Sequence, residues 1–191
     1  MRILLVSMCA ACFASFAWAM LRHFDPAGKP KPGMAFTAAV VPLIATLHLL
    51  SLLARPFLFP LAALSFYVAG GALFWLAVAA TRQRGLAACF QRRVPSGVVS
   101  VGAYRFIRHP FYTAYMLAWT AAFIATGWWP LGFSMLFLTI LYICAARKEE
   151  HDFLRSPLRE EYLLYARTTG RFLPRMRSVN IALFQFRRLT F

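Results

Sequence analysis

The chain of 191 residues is 61% hydrophobic and only 14% charged, with the apolar residues gathered in long blocks, which excludes an ordinary soluble domain and points to an integral membrane protein. The net charge of +15 is a common mark of nucleic-acid binding. No signature of a nucleic-acid module is present, however, and basic loops beside anionic lipid account for the excess, each residue adding about 1 kcal/mol of surface attraction.

A hydrocarbon slab of about 30 Å takes roughly 20 helical residues to cross. Five apolar stretches approach that length, at about 3–21, 34–54, 58–80, 111–127 and 131–146. The expected fold is therefore all-α: one domain over 1–191, a polytopic bundle of about five transmembrane helices. The first stretch follows Arg2 and contains Ala17-Trp18-Ala19, so a cleaved signal peptide is the competing reading. Cleavage there would shift every later loop to the other side and export an arginine-rich loop, so a retained span is expected. Cys9 and Cys12 in this span have CxxC spacing but no second ligand pair, and they read as small packing residues. Cys89 and Cys144 complete no framework with them.

The 28–33 connection, rich in Gly, Pro and Lys, ends the first helix. His48, within the second stretch, reads as a hydrogen-bonded structural residue, though an intramembrane ionisable group also draws functional interest. Arg55-Pro56 and Pro60 bracket a short turn, and Gly70-Gly71 in the third stretch permit close helix contact. Charge sets the expected orientation, because cytoplasmic loops hold excess Lys and Arg. Arg22, Lys29 and Lys31 follow the first stretch, and Arg82, Arg84, Arg92, Arg93, Arg105 and Arg108 follow the third. Ten further Lys and Arg run from Arg147 to Arg188. These segments are expected inside and the N-terminus outside. The turns at Arg55-Pro56 and at Trp128 to Pro130, nearly uncharged, belong on the opposite side.

Between the third and fourth stretches lies Gly102-Ala103-Tyr104-Arg105-Phe106-Ile107-Arg108-His109-Pro110-Phe111-Tyr112. Pro110 suits the first turn of the fourth helix, whose free N–H groups favour an anion. Arg105, Arg108 and His109 add directional donors for a carboxylate or phosphate, and Tyr104, Tyr112 and Tyr115 supply aromatic walls. Five of the six acidic residues, Glu149, Glu150, Asp152, Glu160 and Glu161, fall within 149–161. Asp152 and Glu160 read as ordinary partners of neighbouring basic side chains. Glu149 and Glu150 stand at the membrane boundary, where a partly desolvated carboxylate wants a cation. They point about 100° apart on a helix, so one can face a pocket while the other pairs with a basic neighbour. The fifth helix is expected to continue through Leu154. Ser156-Pro157 should then cap a second one from about 157 to 168, with Glu160 and Glu161 in its first turn. The tail 175–191 is basic and aromatic enough to lie on the membrane surface.

Gly102-x-Tyr104-Arg105-x-x-Arg108-His109-Pro110-x-Tyr112, a hydrophobic hairpin, Glu149-Glu150, Tyr162-x-x-Tyr165 and Arg171-Phe172-Leu173-Pro174 occur in that order. Over about 100–175 the chain thereby resembles the isoprenylcysteine carboxyl methyltransferase and phospholipid methyltransferase superfamily of membrane enzymes. Ala103 stands where that superfamily usually has proline, and Leu158-Arg159 where it has Phe-Gly. The resemblance implies a methyltransferase that uses S-adenosylmethionine and releases S-adenosylhomocysteine, its pocket completed by the cytoplasmic ends of the last helices. Tyr104, Arg108, His109, Tyr112, Glu150, Tyr162 and Tyr165 would then line the cofactor site. Arg105, Arg147 and Arg171 would orient an acceptor, and Glu149 or Glu150 would take the proton of an amine acceptor. The implied partners are membrane lipid and a lipophilic or lipidated acceptor, carrying either an isoprenylcysteine-like carboxylate or a lipid amine. No metal is required. Sterol reductases of membranes carry a similar His-Pro-x-Tyr element, so a nicotinamide-dependent reductase is the rival enzyme class, and a non-catalytic membrane protein is the third reading. Against transport, no Asp or Glu lies within the five stretches.

Overall fold

A computed structural model describes residues 1–22, 24–25, 32–82, 86–87 and 97–175, with only the backbone described at 24–25, 32–38 and 86–87. Lys29, Lys31, Arg84, Cys89, Arg92, Arg93 and the expected surface-lying tail beyond Arg175 lie outside the described residues. Six α-helices account for most of the rest: α1 Arg2–Arg22, α2 Pro32–Ala54, α3 Pro60–Thr81, α4 Pro110–Thr126, α5 Trp129–Leu154 and α6 Arg159–Thr168. Prolines open four of them, at Pro32, Pro60 and Pro110 and, one residue in, at Pro130, where the missing N–H removes no helical bond. Gly127, in the left-handed region at φ 64°, ends α4 and sends its N–H back to the Phe123 carbonyl.

Helices α1, α3 and α5 are long and apolar enough to cross a membrane. Ile3, Leu21, Leu43, Leu61, Trp129 and Phe133 are each at least 65% exposed. Large side chains on the outside at this density suit hydrocarbon as the surrounding solvent. Two ends of the bundle can be told apart. At one, Arg2 donates to the carbonyls of Leu53 and Arg55, and Leu58 N–H bonds the Ala125 carbonyl at 2.7 Å. Arg55 lies over the Trp128 ring there, 3.9 Å from its centre. At the other end two short strands, β1 Phe24–Asp25 and β2 Leu86–Ala87, pair in parallel and join the loops that follow α1 and α3. This pair is a small departure from the all-helical expectation.

The main core is Leu5, Cys9, Cys12 and Phe16 of α1 against Tyr67, Phe74 and Ala77 of α3 and the alanine-lined face of α4. Cys9 and Cys12 are packing residues, as expected, and α1 is an integral part of the core. A Cβ on Gly70 would sit 3.0 Å from the Ala114 carbonyl oxygen, so glycine there lets α3 and α4 approach closely. Gly71 meets only Cys12 Sγ at 3.7 Å and contributes far less. His48 is fully buried and shares a 2.9 Å hydrogen bond with Ser134, in line with the structural reading of that residue.

The apolar part of α5 ends at Ala146, and the helix runs on through the charged stretch to Leu154, as expected. Helix α6 starts at Arg159, two residues later than its capping signal indicated. Ser156 Oγ does accept from a backbone N–H, that of Leu158 at 3.2 Å, and its carbonyl accepts from Arg159. It therefore closes a turn ahead of the helix instead of capping it. Glu160 and Glu161 occupy the first turn, as expected.

Candidate active site

Three segments distant in sequence converge at the strand-paired end. The first is the loop into α4. Gly102–Arg105 forms one 3-10 turn, with Gly102 at φ 56° and its Cα face against Ala80 of α3. Ala103 is buried, and its carbonyl accepts from both Phe106 and Ile107. Next comes the chain after α6. Gly170 N–H bonds the Phe106 carbonyl at 3.0 Å, Arg108 N–H bonds the Gly170 carbonyl at 2.8 Å, and His109 N–H bonds the Arg171 carbonyl at 3.1 Å. Residues 169–172 thus lie as a parallel strap along 106–109, extended by Thr113 Oγ1 donating to the Phe172 carbonyl at 3.1 Å. Only glycine fits at 170, because a Cβ would fall 1.6 Å from the Leu173 carbonyl oxygen. The third segment is the charged end of α5.

Glu150 is the hub. Its Oε1 accepts from Arg108 Nε at 3.0 Å, His109 Nε2 at 3.2 Å and Arg171 Nε at 2.9 Å. Its Oε2 accepts from Arg171 Nε and Nη2. Burial alone would raise its pKa, but these donors overcome it and hold the carboxyl well below the usual carboxylate range. Arg108, with a side chain 10% exposed, also sends Nη1 to the carbonyls of Ala166 at 3.2 Å and Thr169 at 2.6 Å. One guanidinium therefore ties the start of α4 to α5 and to the carbonyl end of α6, where the helix dipole favours a cation.

Glu149 differs. Its side chain is 41% exposed against 12% for Glu150. It accepts a hydrogen bond from the Tyr112 hydroxyl and lies 3.5 Å from His109 Nδ1. Both ring nitrogens of His109 thus face carboxylate oxygens, which only accept, so the imidazolium is the form that satisfies both. Burial lowers the pKa of His109, but hydrogen bonds to Glu149 and Glu150, with their charges, raise it above its ordinary 6.5.

An aromatic column runs from this cluster into the membrane. His109 stacks on Tyr112 at 5.6 Å between ring centres, and Tyr112 stacks on Tyr142 at 5.5 Å. Trp119 Nε1 then donates to the Tyr142 hydroxyl at 3.1 Å. Phe172 from the strap packs against the same group. On the α6 side Tyr162 is buried and stacked on Phe153 at 4.8 Å, its hydroxyl without a hydrogen-bond partner among the described residues. The Tyr165 hydroxyl donates to the Tyr104 carbonyl at 2.8 Å. Burial raises the pKa of all three tyrosines, Tyr104, Tyr162 and Tyr165, so they stay neutral donors at physiological pH. Arg171 is 38% exposed, and its Glu150 hydrogen bonds raise its pKa.

Tyr104, Arg108, His109, Tyr112, Glu149, Glu150, Tyr162, Tyr165 and Arg171 accordingly gather around one centre. Arg105 and Arg147 are both exposed. Leu158-Arg159 enters α6 with Arg159 turned outward. Sequence reasoning passed over Tyr142, Trp119 and Thr169. Tyr142 had a signal: it precedes Glu149 by seven residues, two helical turns, and so shares its face. The phospholipid methyltransferase family matches residues 61–160, just over half of the chain. The chain belongs to that family. The match spans α3, α4, α5 and both glutamates, so the cluster falls largely inside it, and the strap and most of α6 lie beyond. Neither a curated protein nor a solved structure matches the chain. Membership makes this an integral membrane protein of a methyltransferase family.

Proposed function

We propose that the chain is a five-span membrane methyltransferase that uses S-adenosylmethionine to methylate a lipophilic acceptor at the cytoplasmic interface. The single observation that carries this reading is the meeting of the Arg-His-Pro-x-Tyr segment, the glutamate pair and the Arg171 strap in one partly open cluster within a family of methyltransferases. The positions of Arg22, Arg82, Arg105, Arg108 and Arg147 at the strand-paired end support an orientation with that end inside. Helices α2 and α4 complete the five crossings. The 17 residues of α4 span about 26 Å, enough with its flanking turns.

The residues fit the cofactor's groups. A half-exposed carboxylate in the Glu149–Glu150 pair suits an ammonium, and Arg171 keeps Nη1 outside its Glu150 contacts for a carboxylate. The His109–Tyr112 stack offers a flat wall. When bound, S-adenosylmethionine supplies a methyl group activated on a sulfonium. The protein's part is to hold two reactants in line and away from water. The aromatic column and Phe172 exclude water on the membrane side. Arg105 and Arg147, both exposed, attract an anionic acceptor head. With a carboxylate acceptor no proton moves. With an amine acceptor, Glu149 or Glu150 would take the proton released as the C–N bond forms and the donor's C–S bond breaks.

The test is methyl-labelled S-adenosylmethionine incubated with membranes containing the protein, followed by lipid extraction. The reading expects label in the lipid fraction, released by mild base for an ester and retained for an N-methyl product. No label above membranes lacking the protein would refute it.

A further inference from the structure

We propose that His48, buried deep in the bundle and untouched by the chemistry of the site, is a positioning residue for it: through Trp119 and Tyr142 it sets the aromatic wall and the hydroxyl of Tyr112. This deepens the methyltransferase reading and rests on it.

An imidazole is a costly choice at this place. His48 is fully buried in the apolar helix α2, and an ionisable side chain surrounded by hydrocarbon is expensive. Ser134 Oγ gives its own proton to the Leu131 carbonyl at 2.9 Å, so it accepts from His48 Nε2, also at 2.9 Å. Nδ1 is then left buried with no hydrogen-bond partner among the described residues. A leucine would fill the space without a bare nitrogen, so packing alone does not account for the residue. What the ring adds is direction. The Nε2 bond pins α2 to α5 and holds the imidazole at 79° to the Trp119 ring, 5.0 Å between centres.

Trp119 passes that direction on. It is 1% exposed, stacked on Phe13 of α1 at 4.4 Å, and its Nε1 donates to the Tyr142 hydroxyl at 3.1 Å. Tyr142 is thereby held at its hydroxyl by Trp119 and on its face by Tyr112, at 5.5 Å between centres. Tyr112 and Trp119 are seven residues apart on α4, and Ser134 and Tyr142 eight apart on α5, so each pair shares one face of its helix. The Tyr112 hydroxyl completes the line by donating to Glu149. From Ser134 to Glu149 the helix rises about 22 Å. His48 acts on the site over that distance through a contiguous line of packed rings and the hydrogen bonds that orient them.

Calorimetry of the full chain in detergent with S-adenosylhomocysteine tests this on wild type, His48→Leu, Tyr142→Phe and the double variant. Tyr142→Phe keeps the stacked ring and cuts the line at its bond to Trp119. Coupling through packed side chains predicts that His48→Leu weakens binding by more than twofold and up to about 30-fold. In the Tyr142→Phe background the same substitution should change affinity by less than about twofold. A residue that only stabilises the bundle would lower the thermal midpoint and leave affinity unchanged, or would weaken binding equally in both backgrounds, since independent effects add. Either result overturns the proposal. If His48→Leu does not survive purification, Ser134→Ala, which removes only the acceptor oxygen, takes its place in the same cycle and is read in the same way. A wild type that does not bind S-adenosylhomocysteine overturns the methyltransferase reading itself.

Discussion

Replacing Glu150 by alanine would leave three cationic side chains without their shared anion, and the structure sets the size of the effect. Breaking a buried ion pair from one side costs about 3–5 kcal/mol, but the three partners do not count equally. Arg171 is 38% exposed, so water screens much of what it loses. Arg108 is 10% exposed and His109 9%, yet Arg108 retains its two carbonyl acceptors and His109 can shed its proton. The lower end of the range follows, about 3 kcal/mol, or roughly 6–12 °C in thermal midpoint for a chain of this length. Glu149→Ala, which removes a half-exposed acceptor with one short hydrogen bond, should cost about 1 kcal/mol. Thermal unfolding of both variants in the same detergent, followed by a dye that reports exposed thiols, makes the comparison. A Glu150→Ala midpoint no lower than that of Glu149→Ala would refute the hub assignment.

Gly170→Ala must displace the strap, with three backbone hydrogen bonds at stake, each worth about 1 kcal/mol. Limited proteolysis should cut the chain near 170 far faster than in wild type, and an unchanged pattern would count against the strap. Gly70→Leu should cost about 1–3 kcal/mol by forcing α3 from α4, while Gly71→Ala, with only Cys12 Sγ at 3.7 Å, should be nearly neutral in the same melt. The pH dependence of stability has two limbs. His109 is raised above 6.5 on folding, so its contribution is complete below pH 6.5 and disappears as pH climbs through the raised value. Glu150 is lowered from 4.5, so its contribution is complete above pH 4.5 and disappears in stronger acid. The melting midpoint should therefore fall as pH rises above 6.5, and His109→Asn should flatten that alkaline limb; equal alkaline limbs in the two proteins would refute the imidazolium assignment.

Much of the fold could be read from hydropathy because α1 to α5 are apolar over most of their length, as both lipid and a packed core require. The starts of α3 and α4 were equally legible, since proline fixes φ whatever surrounds it. The end of α5 was readable for a different reason, as charged residues beyond Ala146 extend a helix that has already left the slab. Ser156 misled because its hydroxyl can close a turn or cap a helix with the same type of bond, and tertiary contacts choose between them. The site was half visible. Arg108, His109, Tyr112 and the glutamates stood out as polar groups expensive to place beside hydrocarbon. Which glutamate is the more exposed was hidden, because Tyr142 of α5 stacks on Tyr112, a long-range contact that sequence does not show. Arg147 stood out for the same reason, and it lies on the exposed side of the helix. The pairing of the strap with 106–109 was also hidden: nothing in the residues after Gly170 specifies a parallel partner sixty positions earlier.

The central claim, that this cluster binds the methyl donor, is tested most directly by titration calorimetry of the purified chain in detergent with S-adenosylhomocysteine and, separately, with NADPH. The account predicts saturable binding of S-adenosylhomocysteine, weakened by Glu149→Gln, and none of NADPH. Binding of NADPH alone, or of neither, would contradict it.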